Sequence, residues 1–167
     1  MSALAPGKIR SSGRKMSNRA RRLELIAALL REESTLALAT TDEQGEACVA
    51  PLFYVSDENL SLYWLSAADS SHSKNLSRNP KAAATVYRHA ENWKDIRGVQ
   101  LRGQVSTITD PDQRCNLIKT YCERFKLGAV FKLAISQSAL YVLRPDFFRY
   151  IDNSKAFKHN FEITIGN

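Results

Sequence analysis

The sequence predicts an α+β fold built around a six-stranded antiparallel β-barrel with flanking helices. Apolar and polar residues alternate along short runs such as residues 96–108, where Val99, Leu101 and Val105 share one face. Short polar turns, such as residues 42–45, separate several of these runs and favour antiparallel pairing. Glycines and prolines inside the runs indicate the bends and bulges that a barrel wall needs.

The first half of the chain predicts one helix and three strands. Ser17 is expected to cap a helix in which Leu23, Ile26 and Leu30 form an apolar stripe. The strands that follow are joined by short turns, so we expect them to pair in chain order as an antiparallel meander. Pro51 interrupts the second strand, which indicates an edge or a bulge. The predicted elements are a helix over residues 18–33 and strands over 35–41, 46–56 and 60–66.

The second half predicts helices and strands in alternation. Ser70 opens a short helix that Pro80 follows, and Asp110 with Pro111 opens a longer one. Pro145 in the last strand again indicates an edge or a bulge. The predicted elements are a helix over residues 70–79, strands over 82–89 and 96–108, a helix from 111, a short helix around 129–135 and a strand over 139–150.

The net charge of +7 is concentrated at the N-terminus. Residues 1–22 carry seven lysines and arginines and no acid, and the rest of the chain holds 17 basic and 17 acidic residues. We therefore predict two parts, a flexible basic arm over residues 1–16 and one globular domain over 17–167. Such an arm could touch nucleic acid or anionic lipid, but a solvated arm is the more common case, so nucleic-acid binding is not expected as the main activity.

This chain lacks the motifs that several classes of protein require. No apolar run approaches the roughly 20 residues of a membrane span, and no signal peptide is recognisable, so a cytoplasmic protein is expected. The three cysteines and three histidines form no CxxC, no HExxH and no other metal-ligand spacing, so no metal site is predicted. Walker, GxGxxG and GxSxG motifs are also absent from the sequence, and no catalytic residue can be assigned.

The most informative segment is residues 66–80, which lies between two predicted strands. Ser70, Ser71 and His72 open a short helix, where free backbone N–H groups, the helix dipole, hydroxyls and an imidazole meet. A phosphate monoester requires donors of this kind. The alternative is that Ser70 or Ser71 simply caps the helix, as serine often does.

The chain resembles the FMN-binding split barrels related to pyridoxamine 5′-phosphate oxidase over roughly residues 23–160. Its first hairpin (residues 36–40 with the Gly45 turn) and residues 98–103 resemble strands of that family. The residues that match the family's phosphate loop, helix and closing Asn-Pro are Ser66, Ser70, His72, Asn75, Leu76, Asn79 and Pro80. A small, poorly characterised bacterial branch is most similar, through residues 96–100 and Asp152-Asn153.

The resemblance implies a split β-barrel that forms a homodimer with two FMN molecules at the subunit interface. It implies that Ser66, Ser70, Ser71 and His72 hold the phosphate, with Lys74 as an additional cation. It further implies that the backbone of Ala50, Leu52 and Phe53 lines the isoalloxazine, and that Gln100 donates or accepts a hydrogen bond near the ring. Pro51, Phe53 and Tyr54 also suit an ordinary barrel core.

Two departures from the family limit what is carried over. Ser71 stands where an arginine is common and His72 where a lysine is common, so the phosphate site has lost a bidentate cation and has a neutral imidazole in place of an ammonium group. Residues 152–159 do not match the arginine and histidine pattern that grips the substrate in pyridoxamine phosphate oxidases proper; Lys155, Lys158 and His159 equally suit a solvated tail. We therefore expect a flavin-dependent oxidoreductase of unknown substrate that is not an authentic pyridoxamine phosphate oxidase. The alternatives are a non-catalytic FMN store or sensor, and haem or the deazaflavin F420 in the same cleft.

Overall fold

The computed structural model describes residues 16–156 and 159–166, so the predicted basic arm lies outside the described residues except for Met16. Within these ranges the chain forms eight β-strands and four α-helices. The strands are β1 (Thr35–Thr41), β2 (Ala47–Phe53), β3 (Val55–Ser56), β4 (Leu62–Ala67), β5 (Lys81–Tyr87), β6 (Arg97–Thr107), β7 (Ser138–Asp152) and β8 (Asn160–Thr164). The helices are α1 (Asn18–Glu32), α2 (Ser71–Arg78), α3 (Pro111–Phe125) and α4 (Lys132–Gln137).

The strands form one antiparallel sheet in the order β2-β1-β5-β6-β7-β4-β3. Strand β7 is long enough to pair with β4 along its first half and with β8 along its second half. Only Tyr54 separates β2 from β3, although these two strands lie at opposite ends of the order. The sheet must therefore curl until its two ends meet, which gives a half-barrel and confirms the predicted α+β class.

Two details of the predicted sheet are wrong. The strand count is eight instead of six, because the single strand predicted over residues 46–56 breaks at Tyr54 and because β8 was not predicted. The predicted meander forms only in part: β1 pairs with β2 and the two-residue β3 pairs with β4, but the main partner of β4 is β7. Short local turns favoured pairing between strands that are neighbours in the sequence. The curl of the sheet instead places β7, from the last third of the chain, beside β4.

The main core lies on the concave face of the sheet and is closed by α1, and a smaller buried cluster that includes Tyr63, Tyr121 and Val142 lies on the other face, under α3. Ile26 and Leu30 of this helix pack with Trp64 and Phe148 of the sheet, and all four side chains are almost fully buried. The Tyr54 hydroxyl donates to the Leu30 carbonyl over 2.8 Å, which satisfies a carbonyl near the C-terminus of the helix. Burial raises the pKa of Tyr54, so the phenol remains a donor. Of the three residues proposed as ordinary core, Tyr54 is buried but Pro51 and Phe53 are exposed.

Proline and glycine lie where the sheet requires them. Pro51 is in β2, an edge strand, as predicted. The register of β6 with β7 shifts between Arg102 and Gly103, because Gly103 faces Pro145 and Arg102 faces Phe147. Asp146 is thus the extra residue of a bulge, which Pro145 had predicted. None of the described helices combines the length and the apolar character that crossing a membrane would demand.

Candidate functional site

The N-terminus of α2 brings three of the predicted phosphate ligands together. The Oγ of Ser66, at the end of β4, lies 2.6 Å from Nε2 of His72 and 3.2 Å from Oγ of Ser70. The Ser70 Oγ is also 3.2 Å from His72 Nε2, so the two hydroxyls and the imidazole form a closed triangle. We refer to these three residues as the α2 cluster.

Helix capping explains the position of Ser70. Its extended backbone (φ −63°, ψ 152°) places the side chain over the first turn, where Oγ accepts from the Ser73 N–H over 3.4 Å. The same hydroxyl donates to the Ser73 hydroxyl over 2.8 Å. Sequence analysis did not assign a role to Ser73, although its spacing of three from the capping residue is the available signal.

The cluster is electrostatically positive only through its backbone and dipoles. Burial lowers the pKa of His72, so its imidazole is neutral near pH 7. The backbone N–H groups of Ser71 and His72 are among the first of α2, and no carbonyl accepts from them in the described part of the chain. The cluster therefore offers two hydroxyls, one imidazole and two amides to an oxyanion.

Two amide side chains fix α2 against the sheet. Asn75 is buried and its Nδ2 donates to the Thr40 hydroxyl over 3.1 Å, and Asn79 donates to the Thr41 hydroxyl over 3.1 Å. Both acceptors belong to the end of β1, so α2 lies across that end of the sheet. The two asparagines were recognised from the resemblance, and the structure shows what they do: they position the cluster.

The other predicted phosphate ligands do not join the triangle. The side chains of Ser71 and Lys74 are exposed, and neither makes a side-chain hydrogen bond or ion pair within residues 16–156 and 159–166. Ser71 can offer an anion its backbone N–H at the start of α2. Lys74 is one turn along the helix and can approach an anion only from the solvent side.

The residues predicted to line a flavin ring lie on β2 and β6. Strand β2 contacts both β4 and α2, and as an edge strand it has β1 on one side only within the described sheet. Ala50 and Leu52 are half-buried on its concave face, and Phe53 is 55% exposed on the convex face. Gln100 is exposed on the same convex face, in register with Thr85 of β5. Gln100 is three strand spacings from β2, roughly 14 Å.

The convex face of the sheet exposes apolar side chains. Val49, Phe53 and Tyr87 are 68%, 55% and 60% exposed, although all three belong to strands. Beside them, a cavity of about 530 Å³ is lined by Thr41, Lys81 and Arg102, among others. In the described ranges no three histidine, cysteine or acidic side chains lie close enough to hold a metal ion.

Comparison with other proteins places the chain among known relatives. The family model for pyridoxamine 5′-phosphate oxidase matches residues 23–152. A UPF0306 protein from Yersinia pestis bv. Antiqua (strain Angola) is 32% identical over 108 residues, which cover 64% of this chain and 71% of the relative.

Two solved structures with similar folds come from proteins named for haem. HutZ, the haem storage protein of Vibrio cholerae, is 24% identical with a TM-score of 0.62, over 73% of this chain and 88% of its own. A haem binding protein from Mycobacterium smegmatis is 17% identical with a TM-score of 0.68, over 89% of this chain and 59% of its own. At these identities the likeness concerns the fold alone. The family match and the Yersinia relative carry the assignment: the chain belongs to the pyridoxamine 5′-phosphate oxidase family and, within it, to the UPF0306 proteins.

Proposed function

We propose that this protein binds FMN and holds the phosphate of the cofactor at the N-terminus of α2. The α2 cluster carries the proposal, because it gathers Ser66, Ser70 and His72 within 3.2 Å of one another around the first amides of a helix. These donors suit a phosphate monoester, which accepts several hydrogen bonds and gains from the helix dipole.

Binding would require the triangle to open. In the structure the two hydroxyls and the imidazole satisfy one another, so an entering phosphate replaces these contacts with charge-assisted hydrogen bonds. A dianion beside His72 would also favour the protonated imidazole, which supplies part of the positive charge that Ser71 does not. The site is thus adequate for a phosphate but weaker than one that contains an arginine.

The sheet edge supports the position proposed for the ring. Strand β2 contacts both β4 and α2, so the backbone of Ala50, Leu52 and Phe53 would lie beside a cofactor held at the α2 cluster. The convex face beyond it is apolar, and we propose that a second copy of the chain covers it. Gln100 would then meet the ring or the partner across this interface.

Bound FMN would supply hydride and electron transfer, and the protein would position the ring and exclude water. We therefore propose a cytoplasmic flavin-dependent oxidoreductase whose substrate is unknown. We further propose that the substrate is not pyridoxamine phosphate, because residues 152–159 lack the expected arginine and histidine pattern.

Haem is the second candidate ligand, and the reason is specific: two proteins with this fold are named for haem storage and haem binding. The absorbance spectrum of the purified protein, with FMN or haem added, distinguishes the two. Oxidised flavin gives two near-visible bands, whereas haem gives a Soret band.

The decisive experiment is a titration of FMN and of riboflavin against the wild type and four variants. Ser70→Ala and His72→Ala should each weaken FMN binding by about 10- to 100-fold, as expected for a lost hydrogen bond to a charged group. Ser71→Arg should tighten FMN binding by supplying a bidentate cation. Ser77→Ala is the matched control, because Ser77 is on the same helix and, among the described residues, its hydroxyl donates to the Lys74 carbonyl alone.

Riboflavin lacks the phosphate, so it should bind all these proteins alike. This comparison also separates a lost ligand from a damaged fold, since Ser70 caps α2. If the affinity for FMN responds to none of the three changes, the phosphate binds elsewhere and the α2 cluster is only a helix cap.

A further inference from the structure

A second concave site lies at the other end of the molecule, between α1 and the start of β8. Its volume is about 530 Å³, within the range of small-molecule pockets. Four basic side chains, those of Arg21, Arg22, Lys155 and His159, line it together with the half-exposed Leu25 and the largely buried Phe161. We refer to it as the α1–β8 pocket.

The charge of this pocket is not neutralised. No aspartate or glutamate lines it, and none of its four basic side chains forms an ion pair with a carboxylate of the described residues. Asp152 interacts electrostatically with Lys155, but its carboxylate is already paired with Arg97 at 3.4 Å and accepts a hydrogen bond from the Ser154 hydroxyl. The pocket therefore keeps an excess of positive charge.

Both walls of the pocket are held in place. Arg19 of α1 donates to the Thr164 carbonyl of β8 over 3.0 Å, and the Arg22 guanidinium lies 5.1 Å from the centre of the Phe161 ring. On the other wall, the Asp152 N–H donates to the His159 carbonyl over 3.0 Å. The cations are thus presented by tied elements, which lowers the ordering cost of binding an anion.

The α1–β8 pocket is separate from the α2 cluster within one chain. Ser66 pairs with Ala139 at the start of β7, whereas Asn160 pairs with Ile151 near its end. These two positions are twelve residues apart along β7, about 40 Å measured along the strand. A ligand in one site therefore does not touch the other site of the same subunit.

We propose that the α1–β8 pocket binds a small phosphorylated molecule that has an apolar or aromatic body. Two arginines and a lysine provide the multiple donors that a phosphate dianion accepts, and the guanidinium groups can bind it bidentately. Leu25, which is 43% exposed, would contact the body of the ligand, and the largely buried Phe161 would add only the exposed part of its ring. The concave shape and apolar surface favour such a molecule over a long polyanion, which would need an extended basic surface.

The test uses isothermal titration calorimetry of the full chain, with AMP, adenosine and inorganic pyrophosphate as probes. AMP should bind at least tenfold more tightly than adenosine, and pyrophosphate should compete with it. The double variant Arg21→Gln/Lys155→Gln should weaken AMP binding at least tenfold. The matched double variant Arg31→Gln/Lys119→Gln removes the same charge from outside the pocket and should bind AMP like the wild type.

Two further arms connect the result to this pocket. Any AMP that binds at the α2 cluster should be lost in Ser70→Ala and His72→Ala, whereas AMP binding at the α1–β8 pocket should persist in both variants, so the outcome does not depend on the FMN proposal. A single-stranded oligonucleotide should bind no more tightly than AMP. The proposal is overturned if AMP and adenosine bind alike, if both double variants lose affinity equally, or if the oligonucleotide binds while AMP and pyrophosphate do not.

Discussion

The imidazole of His72 connects the stability of α2 with its proposed ligand. It lies half-buried between the hydroxyls of Ser66 and Ser70, and burial lowers its pKa. The neutral form is therefore the stable one in the folded protein, although a bound phosphate would favour the charged form. When the site is empty, protonation of His72 is therefore expected to destabilise the folded protein. When a phosphate binds, the imidazole is expected to take up a proton.

This gives a pH prediction. Because the folded pKa of His72 is below the unfolded value of about 6.5, the unfolded state binds the proton more readily. The contribution of the neutral His72 imidazole to the free energy of unfolding is complete above the unfolded pKa and is lost as the pH falls through the folded pKa. We expect the free energy of unfolding to fall between pH 7.5 and 5, with a His72 share below about 1.4 kcal/mol per pH unit, since solvent screens a half-buried group.

Urea unfolding of the wild type and of His72→Gln at both pH values measures this share. Glutamine keeps a polar group of similar reach but does not titrate, so the variant should lose less stability in acid. Equal losses in the two proteins would show that other groups account for the acid sensitivity.

For single residues, the sequence predicted local roles such as helix capping better than it predicted contacts between distant elements. Ser70 was recognisable as a helix cap because the cap depends on residues three positions apart. The approach of Ser66 to His72 was not derivable from residues alone, because it depends on where β4 ends relative to α2. The resemblance supplied that pairing, and it did not indicate that Ser71 and Lys74 would have exposed side chains.

At the scale of elements, the bulge between β6 and β7 shapes the sheet. Gly103 lies at the register shift, and a Cβ built on it would be 2.0 Å from the Arg144 carbonyl oxygen. Such an approach is possible only for glycine, because backbone atoms cannot move aside as a flexible side chain can.

We therefore expect Gly103→Ala to destabilise the protein by about 3 kcal/mol or more. Gly128→Ala is the control, because a Cβ there meets nothing within 4 Å. Thermal and urea unfolding of both variants check the prediction. A Gly103→Ala protein as stable as the Gly128→Ala protein would mean that the backbone around the bulge relaxes at little cost.

Local signals explain which elements were predicted well. Strand β1 has the predicted bounds, and Ser17, Ser70 and Asp110 cap the three helices that they were expected to cap. Strand β8 was missed because its apolar pair, Phe161 and Ile163, is too short to stand out after a basic segment. The pairing of β4 with β7 was missed because it joins segments more than 70 residues apart, and no local pattern encodes it.

At the scale of the whole molecule, the excess of positive charge is divided between the predicted arm and α1. Four of the seven basic residues in residues 1–22 precede Met16, and the other three, Arg19, Arg21 and Arg22, belong to α1, which Ser17 caps. Deleting residues 1–16 should therefore leave the free energy of unfolding and the FMN titration unchanged. Loss of FMN binding on truncation would place the arm in the flavin site, and a large loss of stability would make it part of the fold.

The apolar convex face is the remaining whole-molecule feature, and it predicts a homodimer. Val49, Ala39 and Ala83 lie side by side in register across β2, β1 and β5, and Val49 is 68% exposed. Sedimentation at micromolar concentration with FMN present should show a dimer. Val49→Glu places a charge in the centre of this face and should give monomers, because an unpaired buried charge is costly.

Val130→Glu is the matched control for the dimer test, because Val130 is 91% exposed and lies on the segment between α3 and α4. This variant should remain dimeric. If FMN binds between two copies, Val49→Glu should also lose FMN affinity, whereas Val130→Glu should keep it. A wild type that sediments as a monomer with FMN bound would contradict the dimer, and the flavin would then have to bind to a single chain, between β2 and the α2 cluster.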